Sequence, residues 1–257
     1  MTVFKLKIIA CISMLIDHIG AVILLPMLDE ISGFMVMQIY LLTRGIGRIA
    51  FLIFAYLIAQ GCLHTKNIGK YMLRLGILAI ISEPLYDIAF RYLVTMDGEI
   101  NFLVNTNIFY TLFLGVAAIA IYEKVWKELQ KRGKLVARPV YINIIAVLAA
   151  TPMMLASHLL STSFALIGGI GVGLILLIYI MCPESHVGRC IAVATGLLVF
   201  YFGDINFLIY SLIAVGLIAF YNGKLGTKNA AIKWGFYFFY PVHLAILIIV
   251  RSAFLQG

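Results

Sequence analysis

Charge is scarce in this chain. Only 12% of its 257 residues are charged, whereas 63% are hydrophobic and the mean hydropathy is +1.07. A soluble globular domain is about a quarter charged and about half apolar. The shortfall excludes a soluble enzyme, a nucleic-acid-binding module and a disordered protein. Acidic residues are scarcer than basic ones, 11 against 19, and the net charge is +8. In so apolar a chain this excess reflects basic loops on one membrane side, not nucleic acid. There are four cysteines, Cys11, Cys62, Cys182 and Cys190, too few for a disulfide-stapled fold and without zinc-site spacing, so no metal is expected. Internal repeats are missing too, which weakens a secondary-transporter reading, since many such folds are built from them. The short alternating segments of an outer-membrane barrel are also absent.

What is there is a series of long apolar runs. A membrane-crossing helix needs roughly 20 mostly apolar residues. The runs predict an all-α, polytopic membrane helix bundle of about nine transmembrane helices, near 8–28, 35–62, 71–95, 104–123, 140–160, 163–182, 189–203, 205–221 and 234–255. They form a single transmembrane domain over 1–257. The second run is long for one span, and Thr43-Arg44-Gly45-Ile46-Gly47-Arg48 is expected to break it, because two glycines weaken a helix. The seventh is short, so 189–221 also reads as a re-entrant pair. The longest loop is expected around 124–139.

Basic residues orient the bundle. Lys5, Lys7, Lys66, Lys70, Arg74, six residues from Lys124 to Arg138, Arg189, Lys224, Lys228 and Lys233 all fall on one side, fifteen of the nineteen. The opposite loops carry Asp29, Glu30, Asp97, Glu99 and Asp204. The positive side is the cytoplasm, which puts the N-terminus inside. Asp17-His18 interrupts the first run and no cleavage site follows, so a retained helix is expected there rather than a signal peptide. On this orientation no cysteine falls on an outer loop.

The remaining ionisable residues lie inside the spans, where each costs about 2.5–3.5 kcal/mol even on the lenient insertion scale. Among them are Asp17 and His18 in the first helix, Arg44 and Arg48 in the second, Glu83, Asp87 and Arg91 in the third, and His243 in the last. At a rise of 1.5 Å per residue, Asp17-His18 sit about 15 Å deep, and Arg44, Glu83 and His243 reach a similar depth. They are therefore expected to converge near the midplane. Arg44 and Arg48 share a helix face, as do Glu83, Asp87 and Arg91. One reading has the arginines pair with Glu83 and Asp87 to hold helices together. Histidines are poor ion-pair partners but good proton handlers, so His18 and His243 point to chemistry. Tyr240-Pro241-Val242-His243 adds a proline that frees a backbone carbonyl and places His243 beside a kink. Ser13, Thr43, Ser82 and Thr111 read as helix-to-helix hydrogen bonders.

Several stretches resemble the TraX family. They are Leu6 to Gly20 with its Asp17-His18, Arg44 to Phe51, Gly61 to Asn67, Lys70 to Leu75, Ile81-Ser82-Glu83-Pro84, and Lys233 to Leu244 with Tyr240-Pro241-Val242-His243. They run in order from the first helix to the last. Two stretches depart from the expected pattern: Asn105-Thr106-Asn107 stands where relatives carry Gln-Asn, and Ser163-Phe164-Ala165 where an Asp-Tyr-Gly-like stretch is expected. The resemblance implies a multi-pass protein of the bacterial inner membrane, similar in outline to multipass acyltransferases. It implies transfer of acetyl from cytoplasmic acetyl-CoA, a co-substrate and not a bound cofactor, to an amine or hydroxyl of an envelope acceptor such as a pilin N-terminus or a surface glycan. On that reading His18 and His243, with Asp17, are the catalytic residues. Arg44, Arg48, Glu83, Asp87, Asn107 and Tyr240 would bind substrate or donor; Lys66, Lys70 and Arg74 would lie near the donor phosphates, although solvated positive-inside residues are the plainer reading of those three. Two alternatives stay open: a non-catalytic pilus or fimbrial assembly factor, and a proton-coupled transporter. The partners expected are the lipid bilayer, acetyl-CoA and the acceptor; no nucleic acid is.

Overall fold

The first apolar run folds as helix α1, Val3–Ile19, capped by the Thr2 side chain. It widens into a π-helical turn over Gly20–Leu24 and resumes as α2, Leu25–Glu30. The widening precedes Pro26, which lacks an N–H and would collide with the carbonyl four residues back. The wider turn accommodates it, starting two positions after His18.

The computed structural model describes residues 1–30, 33–90, 106–131, 139–160, 168–181, 188, 190–191, 193–194, 205–227 and 229–255. Beyond α2 it contains α3 (Phe34–His64), α4 (Ile68–Ala89), α5 (Ile108–Lys131), α6 (Pro139–Leu159), α7 (Gly168–Met181), α8 (Ile205–Ala219) and α9 (Ala230–Leu255). There is no strand among the described residues. Five helical stretches are long and apolar enough to cross a membrane: Val3–Leu28, α3, α5, Val140–Leu159 and Ala231–Ala253. Gly169–Met181 and Leu208–Ala219 are shorter apolar helices. The chain is a helical membrane bundle. Most of the span expected at 189–203, and Arg91, lie outside the described residues.

Two expectations are corrected. Helix α3 runs unbroken for 31 residues through Thr43–Arg48. Its glycines serve close packing instead: a Cβ on Gly45 would collide with Tyr210 and one on Gly47 with Asp17. Breaking the helix in an apolar setting would also orphan backbone groups. The first part of the loop expected around 124–139 is helix, because α5 continues to Lys131, with Glu123 and Lys127 paired one turn apart at 2.5 Å.

Helix α1 packs chiefly on α3, α5 on α6, and α9 against α4 and α1. The main core is built on α3, with Leu52, Ile53 and Tyr56 fully buried. A smaller cluster joins Val22, Tyr86, Phe90, Tyr240 and Leu244. Ile108 and Phe109, at the start of α5, pack against both. Meanwhile Ile80, Leu148 and Ile249 stand largely exposed on the outside of the bundle. So much outward apolar surface belongs against lipid.

Candidate functional site

Helix α1 can approach α3 closely because small and polar residues line the contact. Ser13 donates its hydroxyl hydrogen to the Ile46 carbonyl at 2.5 Å. Gly20 lies against Thr43, and Gly47 against Asp17, with no room for a Cβ on either glycine. Small-residue seams of this kind let membrane helices come near backbone contact. Ser13 thus bridges helices as expected, whereas Thr43 bonds the Tyr40 carbonyl of its own helix at 2.7 Å.

This seam sets the Asp17 carboxylate 2.8 Å from the Arg44 guanidinium. The pairing corrects the expectation that Arg44 would meet Glu83 or Asp87. Arg48 stands one turn further along α3, and its charge also acts on Asp17. Removing a partner from such a pair, away from water, leaves an uncompensated charge, which typically costs 3–5 kcal/mol.

The turn that carries Asp17 also carries His18, aimed at α9. His18 Nδ1 lies 2.6 Å from His243 Nε2, and His243 Nδ1 lies 2.7 Å from the Phe239 carbonyl. These contacts determine the tautomers of the neutral pair. A carbonyl only accepts, so His243 Nδ1 carries a proton and donates it. His243 Nε2 then holds a lone pair and accepts from His18 Nδ1–H. That leaves the lone pair of His18 on Nε2. The nearest acidic oxygen, Asp17 Oδ2, is 4.0 Å away, too far for a hydrogen bond. Both histidines are buried, and their rings lie nearly parallel, 4.9 Å between centroids. Phe90 and Tyr240 pack edge-on against His18, and Phe239 stacks on His243. Pro241 sits inside a continuous α9, two residues before His243.

The acids of α4 do a different job. Glu83 Oε2 accepts from both the backbone N–H and the side-chain amide of Asn107. The same amide donates to the Ala79 carbonyl at 2.8 Å, while Asn107 Oδ1 accepts from Phe109 N–H at 2.9 Å. Asn107 is therefore the N-cap of α5 and its tie to α4 at once. Asp87 is buried, and both its carboxylate oxygens lack a hydrogen-bond partner among the described residues.

The structure thus brings His18, His243, Asp17, Arg44 and Tyr240 together and couples Glu83 to Asn107 beside them. Lys66 and Lys70 lie exposed at the bundle end. Sequence reasoning missed Tyr86 and Phe90, the aromatic partners in the smaller cluster, and the Phe239 carbonyl. The last was legible, since Phe239 is one helical turn before His243. It also missed Arg251, which donates to the Ala89 and Ile88 carbonyls at 2.7 and 2.8 Å and so closes the end of α4. No group of three or more His, Cys, Asp or Glu among the described residues is placed to hold a metal ion.

Below this site opens a cleft of about 240 Å³. Met14, Phe109 and Tyr240 line its deep end, and Lys7, His64 and Lys233 its other end.

Fold and site define a polytopic helical membrane protein with a histidine pair buried between its first and last helices and an ion pair beside it joining α1 to α3. The chain belongs to the TraX family: the sequence model of the TraX protein family matches residues 4–251. It is also 26% identical, over 98% of its own length and 96% of the relative's, to a probable fimbrial assembly protein FimC, serogroup H1, of Dichelobacter nodosus. No solved structure matches the chain.

Proposed function

We propose that the chain is an acetyltransferase of the bacterial inner membrane, moving acetyl from cytoplasmic acetyl-CoA to an envelope acceptor such as a pilin N-terminus. The observation that carries this reading is the buried His18–His243 hydrogen bond, with its lone pair left on His18 Nε2. The acceptor, a neutral amine, attacks the thioester carbonyl carbon. His18 Nε2 takes the proton that the nitrogen loses. The C–S bond breaks, and the same proton passes to the thiolate, giving the amide and free coenzyme A. General base catalysis of this kind contributes about 10²–10⁴-fold. His243 and the Phe239 carbonyl hold the ring of His18 so that Nε2 stays free. Arg44, anchored by Asp17, is the nearby cation for the developing oxyanion. Two hydrogen-bond acceptors, His18 Nε2 and Asp17 Oδ2, face each other at 4.0 Å. A primary amine has the two N–H groups to satisfy both, whereas a hydroxyl has one hydrogen.

Inverted membrane vesicles holding the protein, given labelled acetyl-CoA and envelope material of the native host, test this. Label in a protein fraction, dependent on the chain, is the expected result. Label absent with folded protein and pilin present would overturn it. The fimbrial assembly relative favours a second reading, a non-catalytic pilus assembly factor. In that case pilus formation would survive loss of either histidine in any variant that folds.

A further inference from the structure

The cleft beneath the histidines is apolar along its walls and carries lysines at one end. Its deep end meets Tyr240, whose ring packs against both His18 and His243 at 5.9 and 5.5 Å between centroids. Its walls are apolar and aromatic, among them Phe54, Leu57 and Tyr71. Its other end holds two lysines from opposite ends of the chain, Lys7 and Lys233. Lys7 lies over the Phe236 ring at 5.3 Å, half-buried, while Lys233 is exposed. Two like charges lining one end of a cleft suit an anionic ligand group. Along α1 the distance from Lys7 to His18 is eleven residues, about 16 Å. A volume of about 240 Å³ lies below the usual range for whole drug-sized ligands. It suits a narrow arm whose bulky remainder stays outside.

We infer that this cleft is the donor site: it takes the arm of an acyl thioester, with Lys7 and Lys233 on the phosphate at the arm's outer end. The inference rests on the acyltransferase reading and deepens it. It moves phosphate binding away from Lys66 and Lys70, neither of which lines the cleft. An extended arm anchored at the lysines reaches past Cys11 and Met14 to Tyr240, the residue that packs against the histidine pair. A phospholipid headgroup offers the same phosphate chemistry, so the test must separate the two sources.

Cys11 is a free, buried cysteine on the cleft wall and serves as reporter. The full chain, with Cys62, Cys182 and Cys190 replaced by serine, is placed in nanodiscs of neutral phosphatidylcholine and treated with a small methanethiosulfonate. The probe is S-ethyl-coenzyme A, a thioether that cannot transfer its group. It is expected to slow Cys11 modification, and Lys7→Gln with Lys233→Gln is expected to raise the concentration needed about tenfold. S-ethylpantetheine, which lacks the phosphates, should protect weakly and equally in both proteins. No protection by S-ethyl-coenzyme A, or protection indifferent to the two lysines, would overturn the inference. Protection by phosphatidylglycerol in the discs that S-ethyl-coenzyme A does not enhance would also overturn it and assign the cleft to lipid. Because binding is read without turnover, the two claims separate. Labelled acetyl transfer with no protection at Cys11 refutes the cleft alone; protection without any transfer refutes the acetyltransferase.

Discussion

His18 and His243 stand 225 positions apart in the chain, yet Nδ1 of one lies 2.6 Å from Nε2 of the other. The contact joins α1 to α9 and fixes which nitrogen of His18 is free to take a proton. His18→Ala should lower acetyl transfer by about 10²–10⁴-fold, the span for loss of a general base. His243→Gln, whose amide oxygen can still accept from His18 Nδ1–H, should retain more activity than His243→Leu, which cannot. Initial rates in vesicles, normalised to folded protein, check both. Equal loss in the glutamine and leucine variants would contradict the orienting role of His243.

Asp17 and Arg44 should behave as a unit. Asp17→Asn leaves the half-buried Arg44 without its counter-charge and should destabilise the protein by up to about 3–5 kcal/mol. Adding Arg44→Gln should recover most of that loss, because the orphaned charge is gone. Thermal unfolding in detergent, across the full double-mutant cycle, measures the coupling. Strict additivity of the two single losses would contradict a direct pair.

Gly47 is where α1 and α3 come closest. A Gly47→Leu side chain must collide with Asp17 and push the helices apart. Folded yield should fall steeply. Gly235→Leu, on α9 with open space around its position, should be tolerated. Size-exclusion profiles of the two variants provide the comparison.

Asn107 caps α5 and holds Glu83. Asn107→Ala removes both and should cost about 0.5–2 kcal/mol for the cap alone, more with Glu83 left unsatisfied. Glu83→Gln keeps an oxygen for the Asn107 N–H and should cost less. Their unfolding temperatures should rank in that order; the reverse ranking would show that the Glu83 charge, not the cap, holds the contact.

Much of this was legible in the chain because membrane helices obey strong constraints. The length of apolar runs located α1, α3, α5 and α9, and the cost of buried charge singled out Asp17, His18, Arg44 and His243. Depth alone brought the two histidines to one level. Partner choice was less legible. Arg44 had acids available on both α1 and α4, and only the close approach allowed by Gly20 and Gly47 decides for Asp17. That signal is present in the sequence, but Gly45 and Gly47 suggest a helix break there, whereas they act as contact residues. Asn107 was noticed as a departure from a pattern, while its capping role depends on where α5 starts. The cleft could not be read at all, since Lys7 and Lys233 meet only when the first and last helices pack.

The central claim is that His18 takes the acceptor's proton during acetyl transfer. The most direct measurement is a single-turnover experiment in inverted vesicles with labelled acetyl-CoA and a defined amine acceptor, comparing wild type with His18→Ala at equal folded levels. The account predicts rapid label transfer by wild type and a loss of at least about a hundredfold in the variant. Transfer at the wild-type rate by folded His18→Ala would contradict it.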